Sequence, residues 1–140
     1  MALSKNFTFS EFTKSDTAER HHIVNQITDW EVRDNIIALV ENLLQPLRDV
    51  WGKPIHINSG YRCPELNAKV GGSNTSQHRF GEAADCGVDD PLGLARLVLE
   101  LGLPFDQMIL YPNFLHLSYT DNRKNRMQVL YNKSYKGERI

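Results

Sequence analysis

The spacing of apolar residues between positions 28 and 52 predicts a long amphipathic helix. Apolar side chains recur there every three or four residues, so they share one face. They are Val32, Ile36, Leu39, Val40, Leu43, Leu44 and Leu47. Thr28-Asp29-Trp30-Glu31 has the form of a capping box at the helix start. Gly52 and Pro54 are typical of its end, and Pro46 should kink the helix or mark its last turns.

Short apolar or alternating runs predict strands at 55–58, 83–88, 105–110, 114–119 and 127–131. Two more helices are predicted, one at 64–70 and one that begins at Asp90-Pro91 and ends at Gly102. Because helices and strands are mixed, and the late strands lie close together along the chain, the predicted fold class is α+β. We expect a small antiparallel sheet packed against helices.

The length of 140 residues and an apolar content of 41% indicate a single domain with a packed core. We expect residues 1–27 to be an irregular segment and residues 120–140 to be a polar tail. The basic runs at 123–126 and 133–136 are short and are interpreted as part of that solvated tail. With a formal net charge of −1 and no basic face, nucleic acid is not an expected partner.

The sequence has no run of about 20 apolar residues, so no membrane span is predicted. The first six residues contain no apolar signal segment, which predicts synthesis in the cytoplasm. A substrate outside the cytoplasm would then be met only after release. Cys63 and Cys86 are too few for a disulfide framework. They are interpreted as two reduced, mostly buried thiols, although their pairing stays open. We expect a monomer.

The segment Ser76-Gln77-His78-Arg79-Phe80-Gly81-Glu82-Ala83-Ala84-Asp85 carries the most informative chemistry. It puts a histidine on a loop and an aspartate on the following strand, and Gly81 permits the backbone to return sharply between them. His116 lies on a later strand, pointing away from the apolar face. Two imidazoles and a carboxylate, plus water, are typical of a catalytic zinc site. Spacing alone does not exclude His21, His22 or His56, whose positions favour them less.

At these residues the sequence resembles the zinc D-alanyl-D-alanine carboxypeptidase-like peptidases. That family includes D,D-carboxypeptidases, D,D-dipeptidases and phage L-alanyl-D-glutamate endolysins. Its signature S-x-H-x-x-G-x-A-x-D stands here at residues 76–85, and its aromatic-x-H strand is Phe114-Leu115-His116. A further element, S-G-Y-R with a later Asn and G-G, is present at residues 59–62, Asn67 and Gly71-Gly72. The resemblance implies a fold like that of Hedgehog and D,D-peptidase domains.

The resemblance also implies roles for individual residues. His78, Asp85 and His116 would bind one zinc ion, and Arg62 would hold a carboxylate or carbonyl oxygen of the substrate. Ser76 and Gln77 would orient the loop or contact the substrate. The implied reaction is hydrolysis of a peptide bond in the stem peptides of peptidoglycan, of the carboxypeptidase or endopeptidase type.

One departure from the family pattern concerns the general base. The family has an acidic residue three positions before the last histidine ligand, where this chain has Asn113. A second position, five before that ligand, is often histidine and here is Tyr111, which offers a hydroxyl to an oxyanion. Asp106 is the nearest upstream replacement for the base, and Glu82 is a weaker one. The alternatives are a non-catalytic zinc module that binds cell wall or a protein, and an α+β domain without metal.

Overall fold

The structure, a computed structural model, describes residues 3–140 and contains short helices around one sheet. The helices are α1 (Phe9–Thr13), α2 (Asp16–Arg20), α3 (Trp30–Leu39), α4 (Gln45–Trp51), α5 (Pro64–Lys69) and α6 (Pro91–Leu101). The strands are β1 (His56–Ser59), β2 (Ala83–Gly87), β3 (Gln107–Leu110), β4 (Phe114–Ser118) and β5 (Gln128–Tyr131). The α+β class and each of the predicted strands are therefore confirmed.

The long amphipathic helix is present but contains a π-helical segment, Val40–Leu44, between α3 and α4. The N–H of Gln45 bonds to the carbonyl of Val40, five residues back, just before Pro46. Because proline has no N–H to give, the regular hydrogen-bond ladder is interrupted there. Pro46 thus marks the last turns, as predicted. The helix ends at Gly52, which has a φ of 73°.

The five strands form one sheet in the order β1-β2-β4-β3-β5. All neighbouring strands are antiparallel except β3 and β5, which are parallel. The prediction of an antiparallel sheet is therefore corrected at this edge. The end of β4 lies beside the start of β3, where the N–H of Asp106 donates to the carbonyl of Ser118. A short segment from there passes around the start of β3, so β5 must run in the same direction as β3.

The two faces of the sheet differ in chemistry. One face is fully buried against the helices and carries Ala84, Cys86, Met108, Leu110, Leu115 and Leu117. Side chains alternate along a strand, so Asp85 and His116 project from the opposite face. The apolar core therefore supplies a rigid platform, and the polar candidate residues stand on its far side.

Within residues 3–140, the first and last segments contain more regular structure than expected. The segment predicted to be irregular contains α1 and α2, and Phe7 and Phe12 are buried in the main core. Residues 120–140, expected to be a polar tail, contain β5. Tyr131 in that strand donates its hydroxyl hydrogen to the carbonyl of Ile140 at 2.8 Å. Among residues 3–140, no helix is long and apolar enough to cross a membrane.

Candidate metal centre

Asp85 and His116 are direct neighbours on adjacent strands. They are opposite one another in the antiparallel pairing of β2 with β4. Nδ1 of His116 lies 2.9 Å from Oδ1 of Asp85. The register of the two strands therefore brings these two side chains together.

His78 reaches the same point from a 3-10 helix, Gln77–Phe80, in the loop before β2. The hydroxyl of Ser76 accepts a hydrogen bond from the backbone N–H of His78 at 3.3 Å and caps this turn. Gly81 ends the turn with a φ of 74°. A Cβ on Gly81 would lie 2.6 Å from the carbonyl oxygen of Val32, so only glycine fits between the loop and α3.

The three side chains converge with one donor atom each, all within 4.8 Å of one another. Nε2 of His78 lies 3.3 Å from Oδ1 of Asp85. The other ring nitrogen of His78, Nδ1, lies 2.7 Å from the carbonyl oxygen of Gly60. Because a carbonyl only accepts, Nδ1 carries the hydrogen and the Nε2 lone pair faces the centre. Metal-binding histidines are commonly fixed in this way.

Burial and hydrogen bonding set the protonation of this cluster. Burial lowers the pKa of His78 below its usual value, which outweighs the opposing effect of Asp85. For Asp85, burial alone would raise the pKa, but the neighbouring side chains of His116 and His78 outweigh it and hold the pKa well below its usual range. A neutral imidazole beside an ionised carboxylate is the state that binds a metal cation without first losing a proton.

Arg62 stands beside the cluster, with Nη2 3.8 Å from Oδ2 of Asp85. Its Nε donates to the hydroxyl of Ser59 at 3.2 Å, and Nη1 donates to Oδ1 of Asn67 at 3.4 Å. Asn67 is itself buried and donates to the carbonyl of Ser73 at 2.8 Å. The guanidinium is thus held in place, and it has further N–H groups that these hydrogen bonds do not use.

Tyr111 directly follows β3 and Asn113 directly precedes β4, so both belong to the turn that joins these strands. The Tyr111 ring stacks on Phe114, with ring centroids 4.1 Å apart. Burial raises the pKa of Tyr111; the charge of Asp85 raises it further, and Arg62 acts in the opposite sense. The Tyr111 hydroxyl therefore stays protonated near neutral pH and is a hydrogen-bond donor. The side chain of Asn113 is exposed.

Asp106 is not part of the candidate metal cluster. Its hydrogen-bond partners contradict the prediction that it serves as the general base. Its side chain is fully buried, and both oxygens accept hydrogen bonds from Arg123 and Arg126 at 2.7–3.1 Å. Burial alone would raise its pKa, but these two arginines hold it far below the usual range. The carboxylate fixes the segment that joins β4 to β5. Arg123 and Arg126 are therefore anchored to Asp106 and are not part of a free tail, although their side chains remain partly exposed.

Gln77 and Glu82 interact with each other at the edge of the site. Nε2 of Gln77 lies 3.5 Å from Oε1 of Glu82, and Nδ2 of Asn122 donates to Oε2 of Glu82 at 3.3 Å. Glu82 is 7% exposed. Both of its oxygens thus have neutral partners, and no cation within residues 3–140 forms an ion pair with its carboxylate.

A groove of about 520 Å³ extends from His116 along β3 to the segment that precedes β5. The polar residues on its walls are Ser73, Thr75, Ser76, Gln77, Gln107, Arg123 and Arg126. Ser76 and Gln77 thus line this groove, whereas the two arginines were missed from the sequence. Their only sequence signal is basic charge near a strand, which is also typical of a solvated surface.

Residues 5–118 match the family model described as Peptidase M15. The chain belongs to the peptidase M15 family. A zinc D-Ala-D-Ala carboxypeptidase from Streptomyces albus G is 35% identical over 83 residues, which are 59% of this chain and 31% of that protein. The match thus spans about a third of the relative's length. The family resemblance seen in the sequence motifs is confirmed, and the M15 match includes all of the converging residues.

Proposed function

We propose that this M15 chain is a zinc-dependent peptidase that hydrolyses a peptide bond in peptidoglycan stem peptides. The observation that carries the proposal is the convergence of His78, Asp85 and His116 at one point beside Arg62. The name of the Streptomyces relative, which specifies zinc and a D-Ala-D-Ala substrate, supports the same metal and the same class of bond. A carboxypeptidase and an endopeptidase mode both fit this site.

The donor set fits one zinc ion. Ligands bonded to zinc at about 2.0–2.2 Å in a tetrahedron lie roughly 3.3–3.5 Å apart. The 3.3 Å between Nε2 of His78 and Oδ1 of Asp85 matches that spacing, and the 2.9 Å from His116 to the same oxygen needs only a small opening. Zinc bound there would supply a Lewis acid that polarises the scissile carbonyl and activates water.

The residues around the donor set have separate tasks in this proposal. Arg62 holds a carboxylate or carbonyl oxygen of the substrate, because its guanidinium is fixed by Ser59 and Asn67 before the substrate arrives. Tyr111, kept protonated, donates a hydrogen bond to oxygen as negative charge develops there. Ser76 shapes the loop that carries His78, and Gln77 contributes an amide to the wall of the groove.

The family's usual proton acceptor is replaced in this chain, and this replacement supports a second function. Asn113 occupies the position where the family pattern has an acid, and an amide does not accept the proton of water. Asp106 is engaged by two arginines. Glu82, whose partners are neutral amides, is the remaining carboxylate from the sequence analysis. A non-catalytic zinc module that binds cell wall is therefore the alternative, and removal of a general base typically lowers rates by about 10²–10⁴-fold.

Mass spectrometry of synthetic stem peptides and of purified peptidoglycan tests the proposed function. Protein loaded with zinc should release product from at least one of them, and the product masses identify the bond that is cut. Protein treated with chelator should release none, and zinc added back should restore release. If the zinc-loaded protein gives no product under conditions in which the Streptomyces albus G enzyme does, the peptidase proposal is wrong and the binding module is favoured.

A further inference from the structure

The groove beside His116 has a positively charged wall. Arg123 and Arg126 line it, and each side chain is 48% exposed. Two carboxylates lie near them, but Asp106 is fully buried and Glu82 is 7% exposed. The negative charges therefore lie beneath the surface, while the guanidinium groups face solvent. A ligand that enters the groove meets the positive charges first.

Asp106 fixes both guanidinium groups in advance. Arg123 donates from Nη1 and Nη2, and Arg126 from Nε and Nη2, so each presents a two-pronged contact to the same carboxylate. A guanidinium has five N–H groups. Nη1 of Arg123 also donates to the carbonyl of Lys124 at 3.3 Å, and each arginine still has N–H groups that none of these contacts uses. Holding two long side chains in this way removes the entropy that they would lose on binding an anion. The arrangement is that of a prepared anion site.

The strand order puts Arg123 and Arg126 on the other side of the metal centre from Arg62. In the sheet order β1-β2-β4-β3-β5, Arg62 follows β1, whereas Arg123 and Arg126 precede β5. Asp85 on β2 and His116 on β4 lie between them. Arg62 lines a separate cavity, which shares no residue with the groove. A peptide that spans the centre would thus meet one cationic site at each end.

We infer that Arg123 and Arg126 form a carboxylate-binding subsite that selects acidic peptides on the far side of the scissile bond from Arg62. This inference rests on the proposed function for the location of that bond. Its ligand is an anionic side group of the peptide. A stem peptide offers such a group as the free α-carboxylate of its γ-linked D-glutamate. Amidation of that carboxylate removes the charge while keeping the shape.

The test compares two synthetic stem pentapeptides that differ only in a carboxylate or a carboxamide at the γ-linked glutamate. Equilibrium binding to the zinc-loaded protein is measured by calorimetry, and hydrolysis is followed in parallel. The native protein should bind the acid about three- to tenfold more tightly than the amide, as expected for partly exposed ion pairs. Raising the salt concentration should reduce this preference.

Arg123→Gln and Arg126→Gln should each reduce the preference, and the double variant should abolish it. Affinity for the amide peptide should change less than twofold. Arg96→Gln is the matched control, since Arg96 is 45% exposed and pairs with Glu138 on the surface. It removes the same charge and should keep the preference. If a glutamine variant does not fold, lysine at the same position keeps the charge, and the salt dependence of the native protein is measured without any substitution.

The outcomes separate the subsite from the reaction. A preference for the acid that disappears in the double variant supports the subsite, even if neither peptide is cut, in which case only the peptidase proposal fails. Equal binding of both peptides, no binding of either, or a preference that survives in the double variant would overturn the subsite. If the protein cleaves both peptides and binds them with equal affinity, the subsite is overturned and the peptidase proposal stands.

Discussion

The carboxylate of Asp85 and the imidazole of His116 face one another across β2 and β4, with Oδ1 and Nδ1 2.9 Å apart. Their backbones are paired, so the sheet places the two side chains side by side. His78 completes the cluster from a loop that is pinned by the Gly60 carbonyl and by the fit of Gly81 against α3. Two donors are thus placed by strand register and the third by a glycine-dependent turn.

Gly81→Ala should therefore damage both stability and metal binding. Alanine at a φ of 74° costs about 1–2 kcal/mol in backbone strain, and its Cβ would lie 2.6 Å from the Val32 carbonyl oxygen. The contact adds about 1–3 kcal/mol, as for other overpacked sites. Urea unfolding gives the change in free energy, and zinc titration should show at least a tenfold loss of affinity.

Gly102→Ala is the matched control for this substitution. Gly102 has a φ of 64°, but a Cβ there meets no atom within 4 Å. The Gly102→Ala variant should lose unfolding free energy through backbone strain alone, and it should bind zinc with the affinity of the native protein. Equal effects of the two substitutions on both measurements would contradict the proposed role of Gly81 in positioning His78.

Asp106→Asn should destabilise the protein by about 1.5–3 kcal/mol, the range for hydrogen bonds that involve charged groups. The folded-state pKa of Asp106 lies below that of the unfolded chain, which is about 3.9. Its stabilisation is therefore complete above about pH 5 and is lost as the pH falls below about 4. Thermal unfolding from pH 7 to pH 3 should show a difference between native protein and variant that shrinks in acid.

Glu41→Gln, which removes an exposed carboxylate from the long helix, serves as the control. It should change the unfolding free energy by less than about 0.5 kcal/mol. A difference between Asp106→Asn and the native protein that stays constant down to pH 3 would show that Asp106 does not act through its charge.

Asn113→Glu should distinguish the peptidase from the binding module. If the site lacks only its base, glutamate at this position in the turn before His116 should raise the hydrolysis rate at least tenfold. Asn113→Gln controls for side-chain length, because it adds no charge, and it should leave the rate unchanged. A lower rate in the glutamate variant, with normal zinc content, would show that another group already accepts the proton.

The two cysteines should differ sharply in reactivity. Both are free thiols within the described part of the chain, Cys63 partly buried and Cys86 fully buried. Burial raises the pKa of Cys86, which keeps it in the unreactive thiol form. An aromatic disulfide reagent should label only Cys63 in native protein and both thiols after unfolding. Equally fast labelling of both cysteines in native protein, or no labelling of either after unfolding, would contradict this arrangement.

The elements of the fold were predictable where one physical signal dominated. Apolar periodicity, the capping signal at Thr28–Glu31 and the Asp90 cap located the long helix and α6, and alternation located the strands. The residue that caps the long helix is Asp29, one position after the predicted Thr28. The motif around His78 and Asp85 identified the candidate site because its residue types and order are specific. His116 followed from alternation along β4, since its neighbours Leu115 and Leu117 face the core.

The features that could not be predicted depend on contacts between residues that lie far apart in the sequence. The parallel pairing of β5 with β3 follows from the path of residues 119–127, which carry no strong local signal. Asp106 is an acid at a strand start, and nothing in the sequence shows that Arg123 and Arg126 fold back onto it. The same missing contact made Asp106 seem available as a base and made the arginines seem part of a solvated tail.

Titration of zinc into metal-free protein tests the proposed centre most directly. The native chain should bind one zinc ion with submicromolar affinity. Alanine at His78, Asp85 or His116 should weaken binding at least a hundredfold, because each removes one of three protein ligands. His56→Ala, which removes an exposed histidine that bonds only Asn58 among the described side chains, should bind zinc as the native protein does. Native protein that binds no zinc, or triad variants that bind it equally well, would contradict the account.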